Sequence, residues 1–207
     1  VVNTERKAGV KAISLEEGDR LEKVLHTSGD DRIILATRDG AAIRFHESEV
    51  RTMGREAGGV RGIRLKEGDR VVGADKEYPD SYLLTVTENG YGKRTLPAEF
   101  TEHHRGGGGI TAHALTDKTG ALVGIRCVTG HDDLLLITGD GVVIRMGMED
   151  IRICGRASQG VRLIRVEGEE KVISMTCTAK DDELSSEPGA DGGEETPSEA
   201  AEKTAEE

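Results

Sequence analysis

Apolar residues along this chain gather into short runs, some continuous and some alternating with polar residues, punctuated by Gly, Asp and Asn. No window sustains helical periodicity, so the pattern predicts an all-β chain. Ile33-Ile34-Leu35-Ala36 is continuous and predicts a strand buried on both faces. Asp39-Gly40 suits a type I′ hairpin turn. The return run Ala42-Ile43-Arg44-Phe45 alternates, with Ile43 and Phe45 on one face and Arg44 on the other. The same pattern recurs twice more. Tyr82-Leu83-Leu84-Thr85-Val86 leads through Asn89-Gly90 to Tyr91-Gly92-Lys93-Arg94-Thr95, and Leu134-Leu135-Leu136-Ile137 leads through Asp140-Gly141 to Val142-Val143-Ile144-Arg145-Met146. Arg44, Arg94 and Arg145 are therefore repeat equivalents.

A second landmark keeps the same period. Gly followed by a β-branched residue occurs at Gly9-Val10, Gly59-Val60, Gly109-Ile110 and Gly160-Val161, at intervals of 50, 50 and 51. Between hairpin and landmark lie an acidic-apolar pair and a basic, glycine-containing connection: Glu49-Val50-Arg51 to Gly54-Arg55, Glu99-Phe100 to Arg105-Gly106, and Asp150-Ile151-Arg152 to Gly155-Arg156. Each landmark opens another alternating stretch, as in Val60 to Leu65 and Val161 to Val166, and a fourth strand follows beyond a turn such as Glu67-Gly68-Asp69. A period of this length belongs to propeller-like arrays, whose small sheets bury their faces only by packing on neighbours. The expectation is about four four-stranded blades over residues 1–180, the first incomplete.

Charge then divides the chain. The net charge is −11, but residues 181–207 hold 11 acids against one Lys, leaving residues 1–180 with 28 acids and 27 Lys plus Arg. The terminal segment is poor in large apolar residues and is expected to be a disordered acidic tail. Cys127, Cys154 and Cys177 have no C-x-x-C spacing and lie in or beside apolar runs, as reduced core thiols of a cytoplasmic protein do. No apolar stretch is long enough for a membrane span and no signal peptide opens the sequence. Val1 in place of Met is expected of a piece of a longer polypeptide.

The candidate chemistry is cationic. Arg44, Arg51, Arg55, Arg61, Arg64, Lys93, Arg94, Arg105, Arg145, Arg152, Arg156, Arg162 and Arg165 recur at a few shared offsets, on strands and in glycine-rich connections where backbone amides are open. Solvated β-surface residues paired with nearby carboxylates would give the same composition. Recurrence in phase favours a periodic basic rim fitted to a long polyanion, since a phosphate backbone is bound mainly through such contacts. No nucleophile with a base, no paired carboxylates and no Walker sequence is present. Tyr78, Tyr82 and Tyr91 read as packing residues, and the adjacent His103 and His104 lack the partner ligands of a metal site.

The residues GYGKRT from Gly90 to Thr95, the segment from Val50 to Gly73, and Ile151 to Val166 together resemble the C-terminal domain of the DNA gyrase A subunit. The resemblance covers essentially all of residues 1–180. It implies a β-pinwheel of propeller-like blades with swapped strands that binds and wraps double-stranded DNA around its edge, so that an ATP-driven type II topoisomerase introduces negative supercoils. It implies as partners the gyrase A N-terminal region and the gyrase B subunit in an A2B2 complex. ATP and Mg belong to those other regions, and no cofactor is expected in this chain. The family's Gln-Arg-Arg-Gly-Gly-Lys-Gly box is absent. His103, His104, Arg105, Gly106, Gly107 and Gly109 look like a degenerate copy, which predicts weak binding without full wrapping. The C-terminal domain of the topoisomerase IV A subunit, or a protein-binding β-propeller, is the alternative.

Overall fold

In the computed structural model, residues 11–180 are described. The expected acidic tail and the Gly9-Val10 landmark lie outside them. Three antiparallel hairpins carry the architecture: β1 (Arg32–Thr37) with β2 (Ala41–His46), β4 (Tyr82–Thr87) with β5 (Tyr91–Thr95), and β8 (Asp132–Thr138) with β9 (Val143–Gly147). Each is extended by a long strand that returns to the first strand of its own hairpin. These are β3 (Val71–Lys76) on β1, β7 (Leu122–Val128) on β4 and β11 (Val172–Ala179) on β8.

The fourth strand is exchanged between units. The short β6 (Ile110–Thr111) leaves the second unit and pairs with β2 through Ala42↔Ile110 and Ala41↔Thr111. In the same way β10 (Val161–Arg162) leaves the third unit for β5. The resulting orders are β3-β1-β2-β6, β10-β5-β4-β7 and β11-β8-β9. Two four-stranded sheets and one of three strands thus stand where four units were expected; residues 11–31 form no strand. The alternating stretches after the landmarks are also shorter than expected. Val60 to Leu65 forms no strand, and only two residues of Val161 to Val166 pair.

The hairpin turns correct a second expectation. A type I′ turn requires positive φ at both central residues. Here Gly40, Gly90 and Gly141 have φ of 80°, 77° and 88°, while Asp39, Asn89 and Asp140 do not leave the negative range. Each glycine N–H instead bonds back at 3.0 Å to the carbonyl of Thr37, Thr87 or Thr138. That is a type I turn closed by a left-handed glycine, the three-residue hairpin loop. The threonine hydroxyls add bonds to the N–H groups of Ala41, Tyr91 and Val142.

The core lies between sheets. Ile34, Ala36 and Ala42 of the first sheet pack with Leu83, Leu122 and Ile125 of the second, while Leu84, Val86 and Val128 on its other face pack with Leu134 and Leu136 of the third. Adjacent strand residues therefore enter different cores, which is why the strands read as continuous apolar runs. A 3-10 turn follows each hairpin, and after the second and third it drives one more side chain inward. Phe100 and Ile151 are fully buried this way, whereas Val50, the first unit's equivalent, is exposed.

Candidate nucleic-acid interface

The exchanged strands bring each connection across the preceding sheet, and the arginines divide according to whether they serve that crossing. Arg44 and Arg94 sit at matching registers, opposite Ile34 and Leu84. Both reach the connection that lies over them: Arg44 Nη1 donates to the Phe100 carbonyl at 3.4 Å and Arg94 Nε to the equivalent Ile151 carbonyl at 2.8 Å. Arg44 also pairs with Glu77 at 2.7 Å, and the Arg94 guanidinium lies over Tyr82. Arg145, opposite Leu135, pairs with Asp133 at 2.7 Å and is the most exposed of the three. Alternation had placed these side chains on an open face. In stacked sheets that face belongs to the neighbour, so Arg44 and Arg94 are inter-unit ties, while Arg145, in the last sheet, pairs within its own hairpin.

A second set is engaged in the connections themselves. The N–H of Arg105 donates to Glu49 and its guanidinium to the carbonyls of Glu49 and Arg61. Arg156 repeats this one unit later, its N–H on Glu99 at 2.8 Å and its guanidinium on the Thr111 carbonyl at 3.1 Å. The Arg105 N–H, and to a lesser degree His104, hold the Glu49 carboxyl below its ordinary value. The degenerate box is used the same way. His103 N–H donates to the Arg44 carbonyl, the Gly106 N–H bonds Gly62, and Gly107 accepts from the Arg64 N–H. A side chain at Gly109 would meet the Ala42 carbonyl at 2.6 Å. His103, His104, Arg105, Gly106, Gly107 and Gly109 therefore form a strap seated on the first sheet.

Lys93 is the residue least legible in sequence. Its side chain is fully buried, and Nζ donates to the carbonyls of Gly155, Arg156 and Ser158 at 2.8, 2.6 and 2.9 Å. Burial pushes its pKa down to about 8. Beside it His113, missed by sequence reasoning, is 1% exposed; Nε2 donates to the Gln159 carbonyl, so Nδ1 accepts from the Thr85 hydroxyl at 2.9 Å. Burial, with Lys93 adding to it, lowers His113 to about 4.

The remaining nominees face solvent. Arg51, Arg55, Arg61, Arg64, Arg152 and Arg165 are exposed, and none makes a side-chain hydrogen bond or ion pair among the described residues. Arg51 matches Arg152 and Arg64 matches Arg165 in the repeat, and Arg61 matches Arg162, which is exposed and donates to the Tyr91 hydroxyl at 2.9 Å. Thr101, Thr111 and Ala114 hold those offsets in the second unit. Among these candidates the exposed positive charge therefore lies in the first and third units and not in the second. The described residues contain no group of three His, Cys, Asp or Glu able to hold a metal, and no helix long and apolar enough to cross a membrane. Burial raises the Cys127 thiol and takes Cys177 to about 12, so neither is a reactive thiolate.

Comparison with known proteins gives one consistent result. Residues 2–28, 31–76, 81–129 and 132–179 match a family model described as the DNA gyrase C-terminal domain, beta-propeller. The four segments coincide with the four repeats. The DNA gyrase A subunit of Halalkalibacterium halodurans is 56% identical over 180 residues, covering 86% of this chain, and that of Clostridium acetobutylicum is 49% identical over 177 residues, also covering 86%. The chain spans 22% and 21% of those relatives' lengths. Among solved structures, a DNA gyrase A C-terminal domain superposes with a TM-score of 0.75 at 30% identity, covering 82% of this chain and 58% of that one. The C-terminal domain of a DNA topoisomerase IV gives 0.76 at 29% identity, covering 81% and 53%.

Proposed function

The chain belongs to the DNA gyrase C-terminal domain family, and from that membership we propose that it binds duplex DNA through backbone phosphates and serves as part of the wrapping module of a gyrase A subunit. The observation that carries the reading is the recurrence of exposed arginines at fixed repeat offsets, Arg51 with Arg152, Arg61 with Arg162 and Arg64 with Arg165. Bending a site of about 20–30 bp costs on the order of 1–6 kcal/mol, which phosphate contacts in register can offset. The proposed contacts are to phosphates, which carry no sequence information directly, and the described residues offer no recognition helix. The proposed partners are the remaining portion of the gyrase A polypeptide together with the gyrase B subunit, which would supply the ATP and Mg chemistry.

The test is a salt titration of duplex binding by the chain. Log affinity should fall linearly with log salt, and Arg51→Gln or Arg152→Gln should each lower the slope by about 0.9. An affinity independent of salt, or one unchanged by duplex competitor while an acidic protein is bound, would return the chain to the protein-binding class. The degenerate box predicts a mobility shift weaker than that of the longer domain, with incomplete wrapping of a DNA circle. The topoisomerase IV reading has the near-equal TM-scores in its favour. It requires the full-length protein with its partner subunit to unlink DNA without adding negative supercoils.

A further inference from the structure

At the junction of the second and third sheets, the end of one hairpin is surrounded by positive charge. Tyr91, at the start of β5, is only 6% exposed, yet its hydroxyl opens into a cleft of about 390 Å³ lined by Asn89, Lys118, Arg162, Arg165 and Lys171. Arg162 approaches the phenol oxygen with Nε at 3.3 Å and Nη2 at 2.9 Å, and its guanidinium also lies 5.4 Å from the ring centroid. The Lys118 ammonium is 5.5 Å from the same centroid. Lys171 donates to the Asn89 side-chain oxygen, while the Asn89 amide holds the carbonyls of Asp117 and Lys118 at 3.1 Å. Two segments of the chain are thereby fixed around one opening. Glu170 is the acidic residue of the lining.

The molecule carries its own control. The first junction is built by the same exchange, with β6 in place of β10. There Ala41 stands for Tyr91, Thr111 for Arg162, Ala114 for Arg165 and Ala121 for Lys171. The backbone interlock therefore needs none of these side chains, and packing between units does not account for their presence. Four cations held near one another in a cleft repel, and a dianionic or monoanionic oxygen cluster relieves that repulsion. The arginine fork and the phenol hydroxyl suit a tetrahedral oxyanion, because both donate hydrogen bonds in a fixed direction. The field of the cations also holds the Tyr91 phenol below its ordinary value, the Arg162 hydrogen bond being the main cause.

We propose that this cleft is a fixed phosphate-binding site, taking one backbone phosphate of bound duplex between Arg162, Lys118 and Lys171, with Tyr91 as the positioning residue for Arg162. The proposal rests on the DNA-binding reading above and gives it a geometric anchor, one junction at which the duplex is held in register.

The experiment uses the full chain with tyrosine ring carbons labelled and a short duplex as the probe. Tyr91→Phe identifies the Tyr91 resonance. Duplex should shift that resonance and move its ionisation to higher pH, since a bound phosphate opposes the phenolate, while the other two tyrosines stay in place. Arg162→Gln combined with Lys118→Gln should weaken binding about tenfold or more, the value of a lost charged contact, and abolish the Tyr91 response. Both side chains are at the surface, so an unchanged melting temperature confirms that the fold is intact. If the wild-type chain binds no duplex, the functional reading itself fails. If it binds duplex while the Tyr91 signal is unmoved, or while the double variant binds equally well, the cleft is not a phosphate site and the functional reading stands.

Discussion

At the residue scale the joint between the second and third sheets turns on two buried nitrogen bases. Lys93 satisfies three carbonyls of one connection, and at the equivalent place in the first sheet the residue is Ile43, which meets the glycine-rich strap without any polar tie. Replacing Lys93 by Met removes the donor to all three carbonyls and should destabilise the fold by on the order of 3 kcal/mol. Ile43→Met, a volume-conserving change, should cost less than about 1.5 kcal/mol. Denaturant melts of the two variants decide this, and equal costs would mean the ammonium is dispensable. His113 adds a pH dependence. Its folded pKa is about 4 against an ordinary 6.5, so as pH falls the unfolded chain takes up this proton first. The stability it contributes is therefore complete above about pH 6.5 and is lost toward pH 4, amounting to on the order of 3 kcal/mol. His113→Gln should flatten this slope, and a variant that follows the wild-type curve between those values would assign the acid lability to other groups.

At the element scale the hairpins were legible and the exchange was not. Continuous apolar runs flanking Asp-Gly or Asn-Gly locate β1 with β2, β4 with β5 and β8 with β9 correctly, because burial on both faces writes itself into the strand sequence. The turn type was misassigned because Asn-Gly and Asp-Gly serve both a type I′ turn and a type I turn closed by glycine; the preceding Thr37, Thr87 and Thr138, which select the second, carry no signal when one hairpin is read alone. The donated strands β6 and β10 are two residues long, too short for alternation to register, and their partners lie far away in sequence. The same blindness put Arg44, Arg94 and Lys93 on a binding rim, since periodicity reports which residues share a face and not what covers it. The landmark glycines are the mark the exchange does leave. Gly109 and Gly160, at φ of 70° and 69°, pass so close to the sheet they join that a Cβ would meet the carbonyls of Ala42 and Gly92 at 2.6 and 2.5 Å. Gly160→Ala should therefore lower stability by about 2 kcal/mol or more. Gly108→Ala, with nothing within 4 Å of the added carbon, should change it little. Thermal melts of the pair test this, and an alanine tolerated at residue 160 would imply that β10 can leave β5 without unfolding the rest.

At the scale of the whole molecule the net charge and the charge available to a ligand are different quantities. Of the thirteen cations nominated from sequence, Arg44, Lys93, Arg94, Arg105, Arg145 and Arg156 are committed to carbonyls and carboxylates within the fold, which leaves the outward-facing candidates in the first and third units. Residues 181–207, with a net charge of −10, are tethered directly after the third unit through β11. A tethered polyanion competes with DNA at a high local concentration, and the competition is itself electrostatic, so it is strongest where DNA binding is strongest, at low salt. Removing residues 181–207 should accordingly raise duplex affinity at low salt and steepen the dependence of log affinity on log salt, while at high salt, where both interactions are screened, the two chains should converge. Lys180, where the acidic segment begins, pairs with Glu149, whose carboxyl also feels Arg94, the strand residue bonded to the Arg152 carbonyl; Arg152→Gln should therefore reduce the gain on truncation more than Arg51→Gln does. Salt titrations of the whole and truncated chains, each with these substitutions, measure the effect directly. Parallel titration lines would mean that the acidic segment never occupies the cationic surface.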